Sequence, residues 1–80
     1  GGPKNTYRRP TKSETESKVV QFQKRRAEGG SAQAQFDLGE RYLDGKGVAQ
    51  DKDKGIEWLK KSAEQGNKRA IERLREVSPQ

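Results

Sequence analysis

The chain nearly repeats itself at one fixed offset. Gly30 recurs as Gly66, Ala34 as Ala70 and Leu38 as Leu74, each pair 36 positions apart. The same step carries Ala27 to Ala63, Glu28 to Glu64, Phe22 to Trp58 and Val20 to Ile56. A period in the thirties, combined with apolar residues at helical spacing inside each copy, marks stacked helical hairpins. One hairpin cannot cover its own apolar face, so each copy must lean on its neighbour. Arrays of this kind hold other molecules on extended surfaces more often than they enclose reaction sites.

The helical reading can be followed along the chain. Ser13 and Glu16 fit a capping box that opens a first helix, and Val19, Val20, Phe22 and Ala27 recur on one face of it. Gly29 and Gly30 end that helix, since glycine accepts the left-handed conformation of a helix terminus. Ser31 caps a second helix whose main stripe is Ala34, Leu38 and Tyr42, with Gly39 beside it. Phe36 and Leu43 form a second, smaller stripe, so this helix touches two things. Gly45 and Gly47 break it. Asp51 or Asp53 caps a third helix carrying Ile56, Leu59 and Ala63, flanked by Trp58 and Ser62. Gly66 ends the third helix, Asn67 caps the fourth, and Ala70, Ile71, Leu74 and Val77 form its stripe before Pro79. Leu38 and Tyr42 are expected to pack against Ile56 and Leu59. Gly39 is expected to let two helices approach closely.

Composition bounds what such a fold can be. The 80 residues are 26% hydrophobic and 38% charged, so one domain with a small core is expected. With no Cys and no His, disulfides and the common zinc sites are excluded. No apolar run approaches the length of a bilayer span. The net charge of +6 is uneven. Residues 1–13 carry Lys4, Arg8, Arg9 and Lys12 with no acid, whereas residues 14–80 carry 14 bases against 12 acids. Residues 1–13 are therefore read as a disordered basic arm, with Gly1, Gly2 and Pro3 taken as a cloning remnant. Residues 14–78 are read as the helical domain.

The run from Ala34 to Gly66 resembles a Sel-one-like repeat, a relative of the tetratricopeptide repeat. Ala34, Leu38, Gly39 and Tyr42 carry the likeness in the first helix of the unit, and Gly45, Gly47 and Val48 in its glycine-rich turn. Asp51, Lys54 and Trp58 match the entry to the second helix, and Ala63, Glu64, Gln65 and Gly66 its close. One full unit covers about residues 31–66, with a half unit on each side. Two departures stand out: Arg75 occupies the position equivalent to Gly39, and Gly55 stands where the family prefers alanine. The latter is expected to weaken the third helix by up to ~1 kcal/mol. The resemblance implies an all-α fold, a short α-solenoid of antiparallel helix hairpins with about four helices.

It also implies a role. In related arrays the first helix of each unit lines a concave face. By that likeness Gln33, Phe36, Asp37, Glu40, Leu43 and Asp44 are expected to face a peptide or protein partner, with Arg69 and Arg73 continuing the surface. For Phe36 and Leu43 the competing reading is packing, on the N-terminal helix or on a further repeat of the same chain. An exposed aromatic with acidic neighbours favours a basic, partly apolar partner segment. Catalysis is disfavoured: no nucleophile has an evident base, and Asp37, Glu40 and Asp44 sit at the spacing of a solvated helix face. The GKGV turn lacks the spacing of a phosphate-binding loop. No cofactor is expected. The sequence therefore reads as a non-catalytic protein–protein interaction module, an adaptor or scaffold. The less favoured alternative is a nucleic-acid or anionic-surface binder that uses Lys4, Arg8, Arg9 and Lys12 around Tyr7.

Overall fold

A computed structural model of the chain describes residues 17–77. Four polar side chains set where its helices begin. Ser17 Oγ accepts from the Val20 amide at 3.2 Å and opens α1, Lys18–Glu28. Ser31 Oγ accepts from the Ala34 amide at 3.2 Å and opens α2, Ala32–Asp44. Asp51 Oδ1 accepts from the Lys54 amide at 3.1 Å and opens α3, Lys52–Glu64. Asn67 Oδ1 accepts from the Arg69 and Ala70 amides ahead of α4, Lys68–Val77. Each cap satisfies an amide that the first helical turn leaves without a partner. The capping box expected at Ser13 and Glu16 lies outside the described residues, as do the arm and Pro79. The described first helix starts on Ser17 instead.

The fold is all-α, a short solenoid in which each helix packs on the next in chain order. The α2–α3 link turns on Gly45 and Gly47, whose φ values of 72° and 78° are those expected of them and cost a side-chain-bearing residue strain. Among the described residues, no helix is long and apolar enough to cross a membrane.

Helix α2 has two apolar faces, and they build two cores. The first joins Val20 and Ala27 of α1 to Ala34, Leu38 and Tyr42 of α2 and Val48 of the link, with Trp58 of α3 packed against them. The second joins Phe36 and Leu43 of α2 to Leu59 of α3 and Ala70 of α4, with Ile56, Ala63, Leu74 and Val77 around them. This corrects the expected pairing. Leu38 and Tyr42 do not share a core with Ile56 and Leu59, because that side of α3 meets the Phe36–Leu43 stripe.

Two glycines explain how α2 and α3 come together. A Cβ on Gly39 would lie 2.9 Å from the Gly55 carbonyl oxygen and 2.9 Å from Leu59 Cγ. A Cβ on Gly55 would lie 2.8 Å from the Gly39 carbonyl oxygen and 3.0 Å from Leu43 Cγ. The backbones cross at these two residues. Gly39 was expected there. Gly55, expected to be only a weak point of α3, is its counterpart: the helical propensity it forfeits is exchanged for proximity.

A polar staple closes the other end of this pair. The buried Ser62 hydroxyl donates to the Ala32 carbonyl at 2.7 Å. Gln35, also buried, donates through Nε2 to the Ala27 carbonyl and accepts at Oε1 from Gln65 Nε2 at 2.9 Å. Gln65 Nε2 also reaches the Gly30 carbonyl at 2.8 Å. Among the described residues every buried side-chain polar atom has a partner, so burying Gln35 and Ser62 leaves no hydrogen bond unmade.

Candidate functional site

Helix α1 covers only one face of itself against α2. Val20 and Ala27 are buried there, while Val19 and Phe22 remain 57% and 53% exposed. The sequence placed all four on one apolar stripe. The structure splits them, because a helix with one described neighbour in contact along its length buries only the residues aimed at it.

The uncovered edge of α1 and the adjoining edge of α2 form a trough. At one end a cavity of about 300 Å³ is lined by Gln23, Asp37, Glu40, Arg41, Asp44 and Lys46. At the other a smaller cavity of about 170 Å³ is lined by Val19, Phe22, Arg26, Gln33 and Ala34. Both share Gln23 and Asp37 as walls, so the two adjoin. One end is polar and charged, the other has an apolar rim in which the Arg26 guanidinium lies 5.8 Å from the Phe22 ring centroid.

Local contacts hold the walls in place. Arg41 Nε donates to Gln23 Oε1 at 2.7 Å and its Nη1 to the Lys46 carbonyl at 3.1 Å, tying α1, α2 and the link together at the polar end. Gln33 Nε2 donates to Asp37 Oδ1 at 3.0 Å, one helical turn away. Asp37 and Asp44 take part in no ion pair among the described residues. Their charges are therefore available to an incoming group.

The expected site residues separate into three groups. Gln33, Asp37, Glu40 and Asp44 line the trough. Phe36 and Leu43 do not: each is only 7% exposed, inside the second core. Their off-stripe position on α2 reflects contact with α3 and α4, a packing role rather than an open contact surface. Arg69 and Arg73 lie outside the trough and tie α4 to α2. The Arg69 guanidinium sits 4.9 Å from the Phe36 ring centroid and lids the second core by a cation–π contact. Arg73 Nε meets Glu40 Oε2 at 2.7 Å, and its Nη1 meets Glu76 Oε1 at 2.9 Å.

Those hydrogen bonds, to Glu76 first and then to Glu40, raise the Arg73 guanidinium above its ordinary value. It stays charged throughout the neutral range, and Glu40 is thereby partly committed to α4. Because the Arg73 side chain is still 31% exposed, solvent screens the pair. Arg73→Ala is expected to cost at most ~1 kcal/mol in a urea titration, a far smaller loss than any core truncation.

Lys4, Arg8, Arg9 and Lys12 lie outside the described residues. Sequence reasoning missed Val19, Phe22, Gln23, Arg41 and Lys46 as wall residues. The available signal was Val19 and Phe22 themselves, two large apolar residues on α1 that do not both fit on the narrow face shared with Val20 and Ala27.

Residues 32–67 match the family model of the Sel1 repeat. The match spans α2, its glycine link, α3 and the Asn67 cap. No curated protein and no solved structure matches the chain.

Proposed function

We propose that this chain, built around the Sel1 repeat of residues 32–67, is a non-catalytic adaptor or scaffold that holds a peptide or protein segment in the trough between α1 and α2. Sel1 repeats form a family of protein–protein interaction modules. The observation that carries the finer reading is the trough itself, with exposed Val19 and Phe22 at one end and, along the other, the carboxylates of Asp37 and Asp44, which take part in no ion pair among the described residues. That arrangement suits an extended segment with Lys or Arg beside one apolar side chain. Helices pinned by the Arg41 and Gln35 contacts are ordered before binding, which lowers the entropy lost on association. Rim carboxylates steer a basic partner and raise its association rate more than its final affinity.

The test is charge reversal on the trough. A partner captured with the wild-type chain and then purified should bind Asp37→Lys/Asp44→Lys at least about tenfold more weakly, the loss of ~1.4 kcal/mol or more. Circular dichroism of the variant should be unchanged, since neither residue is in a core. Equal affinity for both chains would reject the trough.

The basic arm supports a second reading, in which Lys4, Arg8, Arg9 and Lys12 neutralise phosphates. Four released counterions would give a slope of log K against log salt near about −3 to −4. The trough reading requires a shallower slope and loss of binding on Phe22→Ser.

A further inference from the structure

Helix α1 carries a seam on the side it does not give to α2. Val19, Phe22 and Arg26 recur at i, i+3 and i+7, the spacing with which one helix receives another. Lys18 and Arg25 each precede a seam residue by one position, so both flank the seam on the same side. All five side chains are exposed. At about 100° per residue they fall within an arc of about 120°. Glu28, the one acid of α1, falls outside that arc. Val20 and Ala27, the residues buried against α2, lie on the adjoining face.

The charge of this face is one-sided. Lys18, Arg25 and Arg26 take part in no ion pair among the described residues. Helix α2 brings one carboxylate to its edge, Asp37, which lines the apolar cavity with Arg26 and already accepts from Gln33. At the far end of the trough Glu40 and Asp44 stand with Arg41 and Lys46, so that end adds no net charge. Three cations against one carboxylate leave the face basic.

Charge and area together choose the occupant. A second copy is excluded, because α1 against α1 would bring the same three cations together from both chains. A bilayer fits poorly: two apolar side chains bury fewer CH₂ groups than one myristoyl chain, which by itself binds only marginally. A nucleic-acid backbone supplies negative charge but nothing to set against Val19. An acidic amphipathic helix supplies both parts. Its apolar stripe meets Val19 and Phe22, and carboxylates along its edge meet Lys18 and Arg25, which stand about 10.5 Å apart along the axis.

We propose that the outer face of α1 receives an amphipathic helix of a partner protein, with one apolar stripe edged by Asp or Glu. This goes beyond the trough reading and does not depend on it. It concerns the flank of Val19 and Phe22 that carries Lys18 and Arg25. Because α1 is 11 residues long, the contact is short and the complex is a transient one.

The probe is a synthetic peptide of about 20 residues, long enough to populate a helix, with Leu and Ala along its stripe and Glu on both flanks. Its counterpart carries Lys in place of Glu. Added to the full isotope-labelled chain, the Glu peptide should shift the amide signals of Val19, Phe22 and Arg25 and leave those of Arg69 and Arg73 on α4 unmoved. The Lys peptide should bind at least about tenfold more weakly. Lys18→Glu/Arg25→Glu should reverse that preference, with circular dichroism unchanged because both side chains are exposed. Phe22→Ser should weaken the Glu peptide at least about fivefold. Reversal is the decisive readout: a general attraction of acids to a chain of charge +6 would be weakened by the double substitution but not inverted.

Absence of shifts on α1, shifts confined to residues 1–16, or a Glu-peptide affinity that Lys18→Glu/Arg25→Glu leaves unchanged would overturn the inference. So would tighter binding of phosphatidylserine vesicles or duplex DNA that the same substitution abolishes, since the face would then be a lipid or nucleic-acid surface. Asp37→Lys/Asp44→Lys separates this surface from the trough. It should not weaken the Glu peptide, whereas it must weaken a basic segment held between α1 and α2. Loss of the Glu peptide on that variant would place the contact in the trough and also overturn the inference. A negative result on α1 leaves the trough standing, because the trough is decided by its own charge reversal.

Discussion

Leu59→Ala is expected to bring the chain to the edge of unfolding. Leu59 has no exposed surface and sits at the centre of the second core, between Phe36 and Leu43 of α2 and Ala70 of α4. Truncating a leucine in such a position removes its transfer free energy and leaves a cavity, for a loss of about 2–5 kcal/mol. A domain this small, with so few apolar residues, stands at the low end of the ~5–15 kcal/mol typical of folded proteins. Most of its stability is therefore at stake. Urea titration followed by circular dichroism should show the midpoint falling steeply.

Cooperativity is part of the same expectation. Trp58 packs against the first core, so its fluorescence reports on the half of the molecule that Leu59 does not occupy. Helix α2 contributes residues to both cores, and it cannot be lost from one and kept in the other. The fluorescence midpoint should fall together with the helical signal, and Leu38→Ala, the matching truncation in the first core, should give a loss of similar size. A Trp58 transition that stays at its wild-type midpoint in Leu59→Ala would mean that the two hairpins unfold independently.

How far the sequence anticipated this molecule varies by residue, for physical reasons. The helix starts at Ser31, Asp51 and Asn67 were legible because capping is local chemistry: a side-chain oxygen reaches an amide two or three residues on. The stripe Ala34, Leu38 and Tyr42 was legible because helical spacing alone defines a face. Which partner that face meets was not, since spacing does not say on which side α3 approaches. The assignment of Phe36 and Leu43 to an open surface failed for the same reason. Their stripe is real, but α3 and α4 cover it. Val19 and Phe22 show the opposite case, an apolar pair in register with buried neighbours that stays exposed and that no described element covers. Asp37 and Asp44 were legible as polar positions of α2, because that side is whatever its two stripes leave over; that they border a trough with α1 was not. Gln35 gave no signal at all: a glutamine inside a helix reads as solvent-facing until the Ala27 carbonyl and Gln65 amide are seen beside it.

Gly39→Ala should destabilise the chain even though alanine is the better helix former. In an exposed helix interior the exchange would gain about 1 kcal/mol. Here the added methyl would lie 2.9 Å from the Gly55 carbonyl oxygen, and that atom belongs to backbone that cannot rotate aside. The two helices must move apart. Leu59 and Leu43, whose Cγ atoms crowd the same crossing, then lose contact with the facing helix. Overpacking of this kind costs about 1–3 kcal/mol beyond the propensity gain. Gly55→Ala should behave alike, with its methyl 2.8 Å from the Gly39 carbonyl oxygen. The double variant should lose less than the two single losses added together, because one separation of the helices accommodates both methyl groups. Gly29→Ala is the matching control: its Cβ would come no closer than 3.4 Å to any neighbour, and its φ of −80° suits any residue, so the change should be neutral or mildly stabilising. The offset of 36 carries Gly39 to Arg75 and Gly55 to Val19, so neither α4 nor α1 offers at these positions the bare backbone that this crossing uses. If Gly39→Ala proves as stable as the wild type in urea, the α2–α3 crossing is looser than these distances require, and the two cores owe their form to something other than the glycine pair.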